Sequence, residues 1–411
     1  MRYILTAAVS VLAVASATAA DTPFKKQQLT SEFWAEGIAL GDLNKDGATD
    51  VVYGPYWFQG PEFKTRRNIY PDAKTSTVKK EDGSEATIRG FKGAGTGEND
   101  YSDNFIAYTH DIDRDGWLDV LVLGFPGKEA FWYQNPQKAD GEWKKHLAFH
   151  SVDNESPMFV DITGDGEPEI VCSSEGFMGY AAPDSSNRLG AWKWHKISPK
   201  GEWQRFTHGI GVGDVNGDGK PDLLEAAGWW EQPASLDGDP LWKKHDAIFG
   251  KGGAQMYTHD INGDGLNDVI TSLEAHGYGL AWFEQTKEDG VQGWTKHIIV
   301  GSKPEENPQR IVFSQPHAIE LVDMNGDGQK DIVTGKRFWA HGPSGDAEPN
   351  APAVVYWFEY KRDGGKVNFT GHLIDDDSGV GTQFATGDIN GDKKRDVAVG
   401  NKKGAHVLLQ P

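Results

Sequence analysis

Seven times along the chain a short apolar run enters a loop of alternating acidic residues, and a second apolar run leaves it. The loops begin at Asp42 (DLNKDGATD), Asp111 (DIDRDGWLD), Asp161 (DITGDGEPE), Asp214 (DVNGDGKPD), Asp260 (DINGDGLND), Asp323 (DMNGDGQKD) and Asp388 (DINGDKKRD). Gly37-Ile38-Ala39-Leu40 leads into the first, and Asp50-Val51-Val52-Tyr53 leaves it. Short β-branched and aromatic runs bounded by turn formers read as strands. An aromatic strand follows, as in Phe131-Trp132-Tyr133, Ala281-Trp282-Phe283 and Tyr356-Trp357-Phe358. A fourth comes next, as in Trp143-Lys144-Lys145-His146 and Trp242-Lys243-Lys244-His245. Four strands per repeat, here A to D, with loop starts 46 to 69 residues apart, predict the four-stranded blades of a β-propeller.

The two ends of the chain complement each other. After the seventh loop come a strand B (396–399) and a strand C (405–409), while Phe24-Lys25-Lys26-Gln27-Gln28-Leu29 matches the D strands. The expected fold is therefore all-β: a single seven-bladed propeller over residues 21–411, closed by its N-terminal strand so that no sheet edge stays open. The same repeats could also stack as an open solenoid.

Residues 1–20 read differently. Arg2 precedes an apolar stretch over 4–15, and Ala17-Thr18-Ala19 gives a cleavage pattern. This is the form of a signal peptide, too short for a membrane span. With no cysteine beside it for a lipid anchor, a secreted or periplasmic protein without membrane insertion is expected. Cys172 is the one cysteine and lies in an apolar run, which suits a buried inert thiol. The formal charge is −20, which argues against a nucleic-acid partner.

Much of that acidity sits in the repeated loops. Side-chain oxygens at loop positions 1, 3, 5 and 9 and a carbonyl at position 7 can surround a hard cation, and Ca2+ accepts such a cage. The expected ligands are Asp42, Asn44, Asp46 and Asp50; Asp111, Asp113, Asp115 and Asp119; Asp161, Thr163, Asp165 and Glu169; Asp214, Asn216, Asp218 and Asp222; Asp260, Asn262, Asp264 and Asp268; Asp323, Asn325, Asp327 and Asp331; and Asp388, Asn390, Asp392 and Asp396. Position 6 is Gly in six loops and Lys393 in the seventh. A left-handed lysine there costs about 1–2 kcal/mol, which marks the last loop as the weakest site. Acidic turns capped by their own side chains use the same residues without metal.

These loops and strands resemble the FG-GAP/VCBS repeats known from integrin α-subunit propellers. The resemblance implies the fold and the cation loops. It leaves function open, since relatives include adhesion modules, rhamnogalacturonan-type lyases and the propeller part of aldos-2-ulose dehydratases. The stretches EAHGYGLAWF (274–283) and QPHA (315–318) look most like the last of these, which act on sugars; no cupin extension is present here.

Internal repetition separates architecture from chemistry. His146, His245, His297 and His372 share one slot on strand D, and His110 and His259 each precede an acidic loop; all six read as structural. If the acidic loops mark the bottom face, six residues back along strand A reaches about 20 Å to the top mouth. That slot holds Glu36, Phe105, Glu155, His208, Ala254, His317 and Thr382, and it does not repeat. The B–C loops add Glu225, Glu274, His276, Lys336, Arg337, His341, Lys402 and Lys403, and the long D–A loop over 70–102 joins the same face. Tyr56, Trp229, Trp230 and Trp339 could stack on sugar rings. His317, His276, His208, Glu155 and His341 are the expected acid/base or metal-binding groups, with Lys336 and Arg337 holding anionic oxygens. A second divalent metal can be accommodated at this face. The expected function is turnover of a carbohydrate or sugar-derived small molecule by a lyase, dehydratase or isomerase. The alternative is a non-catalytic module that binds a carbohydrate or a protein partner.

Overall fold

In the computed structural model, residues 23–80, 82–138 and 140–411 are described; the expected signal peptide lies outside them. Among the described residues, seven four-stranded antiparallel sheets form, with one additional hairpin of Thr75–Lys79 and Glu85–Arg89. Blade one runs Ala39–Gly41, Asp50–Tyr53, Tyr56–Phe58, Arg66–Asn68, and the next five repeat this order. The seventh takes three strands from the C-terminus and its fourth, Lys25–Thr30, from the N-terminus. Lys25 pairs with Leu409 and Gln28 with His406. The chain is a seven-bladed β-propeller closed by its N-terminal strand, and the solenoid alternative falls. No helix of the described residues is long and apolar enough to cross a membrane.

Continuous burial along strand B, with apolar side chains on either side of the sheet, dictates how the blades stack. Each sheet is apolar on both faces, so each buries a face against either neighbour. Leu121, Leu123 and Trp132 of blade two meet Ile170, Cys172 and Ala181 of blade three. Tyr53 and Tyr56 of blade one meet Ala398, Ala405 and Val407 of blade seven, sealing the ring. Cys172 is fully buried, as its apolar run suggests.

The strand-D histidines are structural. His146, His245, His297 and His372 stack on Trp132, Trp229, Trp282 and Trp357 with ring centroids 4.4, 4.1, 4.4 and 4.1 Å apart. His245 and His297 also meet Glu231 and Glu284 at 2.6 and 2.7 Å. The stacks pin the outer strand to the third strand in these four blades.

In the acidic loops the ninth residue is buried and committed to the backbone. Asp119 Oδ2 accepts the Ile112 N–H at 3.0 Å and its Oδ1 the Asn135 N–H at 2.8 Å, tying the loop to the end of strand C. Asp50, Asp222, Asp268 and Asp396 make the same pair of bonds. Position 6 is left-handed throughout: Gly116 has φ 88° and Lys393 φ 70°. Position 4 is left-handed too, at Lys45 (φ 58°), Arg114 (φ 61°) and five glycines such as Gly217 (φ 77°), a requirement that the repeated N-G pattern carried and the sequence reading passed over.

Lys393→Gly, which removes the left-handed strain, should raise stability by about 1 kcal/mol in denaturant unfolding. His406 lies buried opposite the closing strand, and burial pushes its imidazole down to about 4. It is neutral in the fold and charged in the unfolded chain below its ordinary value of about 6.5. Its environment therefore costs no stability above pH ~6.5 and about 3 kcal/mol by pH ~4. Unfolding of wild type and His406→Leu across that range should diverge by that amount; parallel curves would refute this reading.

Candidate functional site

The start of strand A in blades one, three, four and six delivers Glu36, Glu155, His208 and His317 to one end of the channel, and loops after strand B deliver His276, Arg337 and His341. The spacing argument for this face thus brings together residues far apart in sequence. His208, His276 and His317 form a triangle, each pair of ring centroids 5.0 Å apart and edge to face. Each of these imidazoles and the Glu155 carboxylate offers a ligand atom, all four within 4.8 Å of one another.

Arg337 underlies the cluster. Its Nε and Nη2 donate to Glu36 Oε2 at 3.2 and 2.9 Å, and Nη1 donates to Glu155 Oε2 at 3.2 Å and to His317 Nε2 at 3.0 Å. His317 therefore accepts at Nε2 and carries its proton on Nδ1. Burial, reinforced by the guanidinium and the other imidazoles, holds His317 well below the usual histidine range. His276 is lowered too, mainly by burial. Burial opposes the charge on Glu155, but the His208 contact and Arg337 outweigh it and hold the carboxyl at about 2. The result is neutral imidazoles beside a carboxylate, the protonation state in which both ligate metals.

A second, shallower group adjoins the first. Asp346 Oδ1 lies 2.7 Å from His341 Nδ1 and 3.4 Å from His276 Nδ1, and Asp346 Oδ2 accepts the His341 backbone N–H at 2.8 Å. Burial opposes the Asp346 charge, yet the two imidazoles hold its carboxyl well below the usual range. His341 stays about half exposed. Sequence reasoning missed Asp346; its signal was an acid five residues past His341 in a turn-rich insertion.

A cavity of about 450 Å³ opens over these groups, lined by Glu155, His208, His276, Arg337 and His341 and rimmed by Tyr101, Phe125 and Phe206. The rim corrects the expected aromatics. Trp229 and Trp230 are buried between blades, Tyr56 is buried and bonds Asp72 at 2.6 Å, and Trp339 is turned to Asn350. Strand-C aromatics recur in the first six blades because they fill the core, and Trp229 and Trp230 belong to that repeat.

Lys336 does not line the cavity: it is buried and donates to Ser314 Oγ at 2.6 Å. Burial lowers it to about 8. Lys402 is buried 3.9 Å from Glu36 Oε1 and bonds the Trp339 carbonyl at 2.8 Å. Glu225 is spent on the Trp203 and Trp230 indoles, Glu274 on Lys251, and Lys403 on Asp377. Two buried carboxylates share one buried guanidinium, so Arg337→Met should cost about 3–5 kcal/mol by stranding their charge. His341→Ala, at a half-exposed position, should change melting little. Equal melting temperatures for the two variants would remove Arg337 from this structural role.

The FG-GAP-like repeat model matches residues 111–172 and 260–334. No curated protein matches the sequence, so the dehydratase resemblance rests on residues 274–283 and 315–318 alone. Among solved structures, one concerns recognition of non-reducing terminal N-acetylglucosamine by an Agrocybe aegerita lectin; it aligns at 16% identity and TM-score 0.42 over 86% of this chain and 81% of that one. Another, the V. cholerae biofilm matrix protein Bap1, aligns at 17% identity and TM-score 0.30 over 62% of this chain, which spans 37% of that protein. Matched loops in the second, third, fifth and sixth blades, with the same strand order in every blade, lead to one conclusion: this chain is a seven-bladed β-propeller carrying FG-GAP-like repeats.

Proposed function

We propose that the chain is an exported, calcium-binding propeller that acts on a carbohydrate as a lyase, dehydratase or isomerase in its top-face cavity. One observation carries the reading: three imidazoles and a carboxylate with ligand atoms within 4.8 Å of one another, beneath an aromatic-rimmed cavity large enough for a sugar ring. Their fit to a metal rests on the chemistry of the donor set: His208, His276 and the ionised Glu155 carboxylate line the cavity with ligand atoms within 4.8 Å of one another, and His317 backs them through its bond to Arg337. Nitrogen-rich donors suit a zinc-type transition ion and not calcium. Such an ion supplies a Lewis acid that polarises a carbonyl and stabilises an enolate.

The protein's own groups do the rest. Arg337 holds Glu155 in place and fixes the His317 tautomer. His341, bound through Nδ1 to Asp346, takes up the proton next to the carbonyl at its Nε2, and Asp346 stabilises the imidazolium that forms. Tyr101, Phe125 and Phe206 stack on the ring and exclude water. At the opposite ends of the strands, the acidic loops hold calcium. Asp111, Asp113 and Asp115 already place oxygens within 4.8 Å of one another, as do Asp161, Asp165 and Glu169, and buried Asp111 Oδ1 has no hydrogen-bond partner.

The purified protein should carry about one transition-metal ion per chain by elemental analysis, and His208→Ala should lose it. Turnover of keto-sugars or uronic oligosaccharides, followed by new carbonyl or alkene absorbance, should fall about 10²-fold or more in His341→Ala with metal content unchanged. Metal-free protein that binds sugars without turnover would leave the binding-module reading. Separately, a calcium-selective chelator should lower the melting temperature and added Ca2+ restore it; an unchanged melting curve would sink the calcium sites.

A further inference from the structure

A cavity larger than that of the top-face site lies beside it. About 1440 Å³ in volume, it runs between the long insertion of blade one and the outer strands of blade two. One wall is the insertion around Tyr70, Lys74 and Phe91; the other is Lys128, Tyr133, Lys144 and Lys145 of blade two. Tyr101 and Phe125 line this groove and the top-face cavity alike. Their rings are 5.6 Å apart, so the two spaces share a sill and one extended molecule can lie across it.

The groove has a charge of its own. Lys74, Lys128, Lys144 and Lys145 line it against Asp103, Glu129 and Glu142, a positive balance in a chain of formal charge −20. Among the described residues, no carboxylate lies within 4.0 Å of any of these four ammonium groups, so their charge is open to a ligand. Lys145 lies 3.5 Å over the Phe131 ring and Lys74 4.7 Å over Phe91. Ammonium groups set among aromatic rings suit a pyranose that bears a carboxylate, whose apolar face can stack while its charge is met.

We propose that this groove binds an anionic oligosaccharide, a run of uronic-acid residues whose terminal sugar enters the cavity lined by His208, His276 and His341. The inference deepens the proposed function and rests on it. The volume exceeds the roughly 300–1,000 Å³ of a pocket for one drug-sized ligand, so the ligand is a chain of several sugars and the top-face cavity receives its end.

Calorimetry tests this with four probes: tetramers of galacturonate, mannuronate and glucose, and monomeric galacturonate. The variant is Lys128→Gln/Lys144→Gln, at two exposed positions outside the top-face cavity, checked for wild-type melting. At least one acidic tetramer should bind about tenfold or more tighter than the monomer and the glucose tetramer, with the margin shrinking between ~20 and ~500 mM salt. The double variant should lose about tenfold for that tetramer and nothing for the monomer. The groove is refuted if no acidic tetramer outbinds its monomer, if the glucose tetramer binds as well, or if the variant keeps wild-type affinity. Tight, salt-sensitive tetramer binding without turnover would refute the acid/base reading and leave the groove standing; monomer turnover without tetramer gain would do the reverse.

Discussion

Each acidic loop closes through a carboxylate buried at its ninth position, and the propeller depends on that closure. The group accepts one N–H from the loop and, in most blades, another from the end of strand C, as Asp119 does with Ile112 and Asn135. It thereby clamps the A–B turn onto the third strand and sets the register of three strands at once. Burying a carboxylate is costly without such bonds, and the cost shows in the carboxyls themselves: burial pushes Asp119, Asp222 and Asp268 up to about 7. A cation in the loop would offset that penalty, and the same residue would then link strand register to cation binding.

The clamp also frees the other end of each blade. With the strands registered from below, the starts of the A strands and the B–C loops need not repeat. Glu36, Glu155, His208 and His317 occupy equivalent slots in four blades; Glu36, Glu155 and His317 bond Arg337, and His208 reaches Glu155 and packs on His317. The guanidinium is what lets two carboxylates and a neutral imidazole share a buried site; burial works against its own charge, and Glu36 and Glu155 outweigh that.

The fold was legible because each blade states it independently. The acidic loop between two apolar strands recurs seven times and the aromatic third strand in six blades, and the D-like segment at residues 24–29 identified the closing strand that pairs with Gly404–Leu409. The site was legible in part, through the slots that do not repeat. Where the reading failed, as at Tyr56, Trp229 and Trp230, an aromatic near a loop looked exposed, and only packing between neighbouring blades shows that its faces are covered.

From sequence alone came the blade count, the strand order, the ring closure and the set of polar residues at one end of the channel, because these follow from local periodicity and from comparison of repeats. Only the tertiary structure decided which of those residues touch. The triangle of His208, His276 and His317, the bridging of Arg337 from Glu36 to Glu155, the turn of Lys336 towards Ser314 and the supporting Asp346 depend on the angle between blades and the path of a long insertion. Those are set by the packing of whole sheets on one another, and a one-dimensional pattern holds no record of that geometry.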